Sequence, residues 1–110
     1  MKKIFIAALL VAVLCTSAFA LSDRDYGRLL RESPEFYEAD QELNGVWDEL
    51  KDALSAREFA RLKKDQADWV KSGRDRDARR RMKSGRSQER AYTEATRARA
   101  RYLRENYLDY

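Results

Sequence analysis

Apolar residues recur along the chain at steps of three, four and seven, which is the period of amphipathic helices rather than of strands. Phe36, Leu43, Trp47, Leu50 and Leu54 fall on one helical face. That helix has a written start: Ser33 suits the N-cap, Pro34 the first helical position, and Glu35 the positive end of the helix dipole. Gly45 lies inside it, lowers propensity by up to about 1 kcal/mol relative to Ala, and is expected to mark close approach of a neighbouring helix. Ser55-x-x-Glu58 is a capping box for the next helix, on which Phe59, Leu62, Gln66, Trp69 and Val70 share a stripe. Gly73 predicts an end or a bend. Residues 74–83 are strongly polar, and the Arg-rich stretch over residues 74–86 reads as a mobile, solvated helix end. Ser84-Gly85-Arg86-Ser87 predicts a turn, with Ser87 capping a last helix. On that helix Tyr92, Ala95, Arg99, Tyr102, Leu103 and Tyr107 recur at helical spacing, and Tyr102 and Tyr107 are expected in the core. A short first helix over residues 23–31 would use Tyr26, Leu29 and Leu30. The predicted fold is all-α: a small antiparallel bundle of three principal helices, with a short N-terminal helix on one side.

Composition agrees. From residue 21 onward the chain holds two Val, two Thr and no Ile, too few β-branched residues for a sheet protein. Before that point the pattern changes. Lys2 and Lys3 precede an unbroken apolar run over residues 4–14, and Ala18-Phe19-Ala20 has the small-x-small form of a signal peptidase site. The run is shorter than the roughly 20 residues that span a bilayer. Residues 1–20 are therefore expected to be a cleaved signal peptide, and residues 21–110 a single exported domain, periplasmic or secreted. Cys15 belongs to the apolar core of that leader, because Leu14 stands where a lipid-attachment signal needs a small residue. No cysteine follows, so packing and helix caps must hold a small domain without disulfides.

Charge changes the picture only when it is divided. The formal net charge of +4 includes Lys2 and Lys3. Residues 21–58 carry 11 acidic and 5 basic side chains, a net of −6, whereas residues 59–110 carry 8 acidic and 16 basic, a net of +8. Helices of opposite sign attract across a bundle, and this is the favoured reading; the other is a basic face for an anionic partner.

Candidate chemistry is sparse. The chain has no His, so no nucleophile–base combination is available, and no Cys/His metal site or cofactor motif is present. Carboxylates cluster at Asp48/Glu49/Asp52 and Asp75/Asp77, but nothing predicts the cleft that acid–base work on a polysaccharide requires. These features point away from an enzyme. Arg74, Arg76, Arg79, Arg80, Arg81, Lys83 and Arg86 form a basic run without interleaved aromatics for stacking on single strands. Together with export, this argues against a nucleic-acid partner and leaves anionic lipid or an envelope protein for the basic segment. Gln66 and Trp69 share one helix face, as do Thr96 and Arg99, and antiparallel helices would bring the pairs within reach. They form either a polar network that fixes helix register, which is favoured, or a groove for a ligand or partner.

The order of these motifs resembles a known family. Glu42-Leu43-Asn44 with Trp47, then Leu62 with Gln66-x-x-Trp69, then Arg74-Asp75, then Thr96-x-x-Arg99-x-x-x-Leu103 is similar to the LprI-like lysozyme inhibitor family, over roughly residues 33–107. The resemblance implies a small exported helical bacterial protein that binds and inhibits lysozyme, a strongly basic enzyme; blocking its cleft, without catalysis, is the mechanism expected here. It also implies that Glu42, Asn44, Trp47, Gln66, Trp69, Arg74, Asp75, Thr96 and Arg99 serve binding or the fold. Two departures stand out. The cysteines often found in the family are absent near Arg31, Ala78 and Ala91, which marks a disulfide-free branch. The Arg-Asp pair usually falls four and five residues after the Trp, but here it falls five and six after Trp69, with Gly73 intervening.

Overall fold

A computed structural model describes residues 21–108. The predicted leader with Cys15, and Tyr110, lie outside the described residues. The elements are α1 (Asp23–Glu32), α2 (Pro34–Ala53), α3 (Ala56–Asp68), a π-helical turn (Trp69–Gly73), α4 (Arg74–Lys83) and α5 (Gln88–Tyr107). The protein is an all-α bundle.

Each start follows from its cap. Ser22, Ser33, Ser55 and Ser87 accept hydrogen bonds from the backbone N–H groups of Asp25, Phe36, Glu58 and Arg90, all at 3.1 Å. Ser33 also ends α1, because its own N–H donates to Leu29 O, so one buried residue joins two helices. At Ser55 the capping box is complete: Glu58 reaches back to the Ser55 N–H at 3.1 Å. These bonds hold the Glu58 carboxyl below its ordinary range although it is exposed. The turn after α4 is a Schellman motif, with Arg86 N–H on Arg81 O and Gly85 N–H on Met82 O. Gly85 takes φ of 102°, a left-handed value that a residue with a Cβ adopts only at a cost.

Three rods run up, down and up. Arg97 pairs with Glu38 and Arg104 with Glu42, so α2 and α5 point the same way. The middle rod is α3, the π turn and α4 taken together. It runs against α5, with Gln66 meeting Arg99 and Asp75 meeting Tyr92. Helix α1 folds back on α2, its Tyr26 ring standing edge-on to Phe36 at 5.8 Å.

The middle rod differs from the expectation for residues 74–86, of which residues 74–83 form α4. They are not a loose solvated end: Arg74, Asp75 and Ala78 are buried, and α4 packs along α5. The π turn makes this possible. On an unbroken α-helix Arg74 would sit about 140° around the axis from Trp69. Here the Arg74 N–H donates to Trp69 O, five residues back, which inserts one extra residue and rephases everything after it.

Two other expectations are corrected. Tyr102 and Tyr107 are not core residues but are 43% and 36% exposed, meeting each other edge-on at 6.4 Å. Gly45 faces open space, with nothing within 4 Å of where a Cβ would stand, so no helix approaches it. We therefore expect Gly45→Ala to stabilise the fold by roughly 1 kcal/mol through helix propensity. A rise in the urea midpoint at unchanged slope would show this.

The core falls into two clusters. One gathers Leu21, Leu29, Phe36, Ala78, Ala91 and Tyr92 from α1, α2, α4, α5 and the residue ahead of Ser22. The other gathers Leu43, Val46, Leu50, Leu62, Ala100 and Leu103 from α2, α3 and α5. A polar and aromatic seam also ties these helices together.

Candidate functional site

The seam centres on Trp69, which lies between two guanidinium groups. Arg74 stands 5.7 Å from its ring and Arg99 5.6 Å. Cations over an indole face are attracted by its quadrupole, more strongly where water is excluded. Arg99 is fixed further: its Nε donates to Gln66 Oε1 and its Nη2 to Asp65 Oδ2, both at 2.8 Å, and its head lies 5.1 Å from the Tyr102 ring. Gln66 and Trp69 on the middle rod therefore meet Arg99 on α5. The bond to Gln66 comes from Arg99 and not from Thr96, which is buried on α5 one turn earlier.

On its other side Arg74 lies 5.7 Å from the Tyr26 ring. The Tyr26 hydroxyl donates to Asp40 Oδ1 at 2.7 Å, while Asn44 Nδ2 reaches Asp40 Oδ2 only at 3.5 Å. Burial raises the Tyr26 phenol above its ordinary range, and the Asp40 charge and hydrogen bond raise it further. Burial also raises Asp40, opposed by the Tyr26 hydroxyl, Arg74 and Asn44. Since the folded state favours protonated Asp40, this contribution is fully present below the ordinary aspartate value of 3.8 and is lost as pH rises through the raised folded value. Asp40→Asn keeps an oxygen for the Tyr26 hydroxyl and cannot ionise. Urea melts across the acidic range should show this loss of stability in the wild type and a flatter profile in the variant.

The remaining predicted residues take other positions. Glu42 accepts from Arg104 at 2.7 Å across the α2–α5 contact. Trp47 packs on Phe59 at 5.0 Å, linking α2 to α3, and Asn44 is exposed. Asp75 is buried at 3% exposure and accepts from the Tyr92 hydroxyl at 2.6 Å and from the Leu21 N–H at 3.0 Å. Burial, then Asp75, hold the Tyr92 phenol above its ordinary range. Sequence reasoning missed Tyr26, Asp40 and Asp65. The readable signal was Asp40, a carboxylate four residues after Phe36 and three before Leu43 on an otherwise apolar stripe.

Three guanidinium groups of the basic run, those of Arg80, Arg81 and Arg86, are paired with carboxylates of α4 and α5. Asp77 takes Arg80 and Arg81, and Glu94 takes Arg81, Arg86 and Arg90 at 3.2 Å. Desolvation pushes the Glu94 carboxyl up, but these guanidinium groups together hold it below its ordinary range. A partly open recess is lined by Arg80, Arg81, Ser84, Arg86 and Glu94. Among the described residues, no group of three or more His, Cys, Asp or Glu is placed to hold a metal ion, and no helix is long and apolar enough to cross a membrane.

Comparison with known proteins meets this geometry at one place. The profile of the family described as Lysozyme inhibitor LprI matches residues 32–103, well over half of the chain. The chain belongs to the LprI lysozyme inhibitor family. The match runs from the end of α1 to Leu103 on α5, so it contains Glu42, Asn44, Trp47, Gln66, Trp69, Arg74, Asp75, Thr96 and Arg99. It stops short of Leu21 and Tyr26, whose contacts with Asp75 and Asp40 lie at the edge of the LprI region. No curated protein and no solved structure matches the chain.

Proposed function

We propose that this LprI-family protein is exported, loses residues 1–20 after Ala20, and inhibits lysozyme by docking on it and blocking its cleft without catalysis. The observation that carries this reading, beside the family, is the charge of α2. Residues 34–53 hold seven acidic side chains and one basic, although the whole chain is net positive. Tyr37, Gln41, Asn44, Asp48 and Asp52 form an exposed stripe along its outer side, flanked by exposed Glu35 and Glu38. An acidic helix face steers a basic enzyme, and a half-exposed tyrosine supplies an anchor of low conformational cost. The part-buried seam around Trp69 then serves the fold that presents this stripe. The alternative partner, anionic lipid on the basic segment, is less favoured because Asp77 and Glu94 already pair with Arg80, Arg81 and Arg86 of that segment.

The exported protein should protect bacterial cell walls in a turbidity assay when titrated against several lysozymes, and added salt should weaken the effect. Absence of protection against every lysozyme at large molar excess would end the proposal. Salt-sensitive binding to anionic vesicles with no such protection would favour the lipid alternative.

A further inference from the structure

The contact between Leu21 and Asp75 joins residues 54 positions apart and lies beside the predicted cleavage point. Leu21 is 2% exposed, and its side chain belongs to the cluster of Leu29, Phe36, Ala78, Ala91 and Tyr92. It precedes the N-cap Ser22, and Tyr26, in the first turn of α1, packs against the same cluster, in the manner of a hydrophobic staple. Its backbone nitrogen is thus held in place from both directions. Asp75 receives one hydrogen bond from that nitrogen and one from the Tyr92 hydroxyl, both on Oδ1. Its other oxygen, Oδ2, is buried with no hydrogen-bond partner among the described residues. Arg74 is adjacent in sequence, but its head is turned to the rings of Tyr26 and Trp69. A buried carboxylate bonded to neutral donors, with one oxygen unpaired, is an expensive arrangement.

We propose that Asp75 is the buried receptor for the protein's own α-ammonium group, created when the bond between Ala20 and Leu21 is cut. This rests on the reading that residues 1–20 are removed at that bond. In the uncut chain the Leu21 nitrogen is an amide with one hydrogen, already spent on Oδ1. Hydrolysis places the new carboxylate on Ala20 and leaves Leu21 a positively charged nitrogen with three hydrogens. A second hydrogen can then turn to Oδ2, and the charge neutralises Asp75 where water is excluded. Export thereby completes the fold: the mature protein holds an ion pair that the precursor cannot form. The position is strict, because a cut one residue earlier moves the charge by about 3.8 Å along the chain.

The test uses the protein exported with its own leader. Intact mass should place the N-terminus at Leu21. Acylation near neutral pH, read by peptide mass, should modify the native Leu21 amine at least about tenfold more slowly than the same amine in urea, as for a paired, buried ammonium. Inserting Gly-Ser between Ala20 and Leu21 should lower the melting temperature by roughly 10 °C, but much less in an Asp75→Asn background. A start at Leu21 with acylation as fast as in urea, or with equal insertion effects in both backgrounds, overturns the pairing and leaves the cleavage reading standing. A start elsewhere, or an uncut chain, overturns the cleavage reading and the pairing with it. If Asp75→Asn does not fold, the acylation rate of the unaltered protein decides alone.

Discussion

Trp69→Ala is expected to lower stability by about 3 kcal/mol. The full loss for a buried Trp is about 3–5 kcal/mol, and the lower end applies because Trp69 is only part-buried. The reason for so large an effect is its position. The ring packs against the second core cluster and lies beside both Arg74 and Arg99, so truncation removes an apolar contact and two cation faces at once. The Arg74 Nε is already buried without a hydrogen-bond partner among the described residues, which makes loss of the ring harder to absorb. A double-mutant cycle with Arg99→Ala should return a coupling near 1 kcal/mol. Gln66→Ala should also lower the melting temperature, since it leaves Arg99 Nε without its 2.8 Å acceptor. Unchanged melting of Gln66→Ala and Arg99→Ala, with partner binding abolished, would move these residues from the fold to the binding surface.

Phe36→Ala should cost more, about 4 kcal/mol. Phe36 is fully buried at the point where α1, α2, α4 and α5 converge, and it supports the edge-on ring of Tyr26. Its removal leaves a cavity that the Ser33 junction, capped on both sides, gives little room to close. Because Tyr26 holds Asp40, the variant should also alter the acid dependence attributed to that carboxyl. Urea denaturation of wild type and variant across the acidic range measures both effects.

Much of the architecture was legible because it is written locally. Ser33-Pro34, Ser55-x-x-Glu58 and Ser84-Gly85-Arg86-Ser87 each carry their own capping or turn chemistry, and the structure starts and stops helices at these places. The meeting of Gln66 and Trp69 with Arg99 followed from helix spacing and an antiparallel turn. What could not be read is what tertiary contact decides. A period of 3.6 residues gives no sign of a π turn, so the charged stretch after Gly73 looked solvated although Arg74 and Asp75 point inward. Tyr102 and Tyr107 share the period of the α5 core face but sit at its rim, where periodicity has no depth. Gly45 shows the same limit: a helical glycine signals reduced propensity, and only the fold shows that the space beside it is open.

The division of labour between a part-buried seam and an exposed acidic stripe makes lysozyme inhibition by charge-reversed α2 the most direct test. Asp48 and Asp52 are exposed on the outer side of that helix, away from both core clusters. Wall-lysis curves are measured for the exported wild type and for a double variant carrying Asp48→Lys and Asp52→Lys. The expected result is inhibition by the wild type, weakened at least about tenfold in the variant with little change in melting temperature. Inhibition unaffected by the charge reversal, or no inhibition by the wild type at large molar excess, would contradict it.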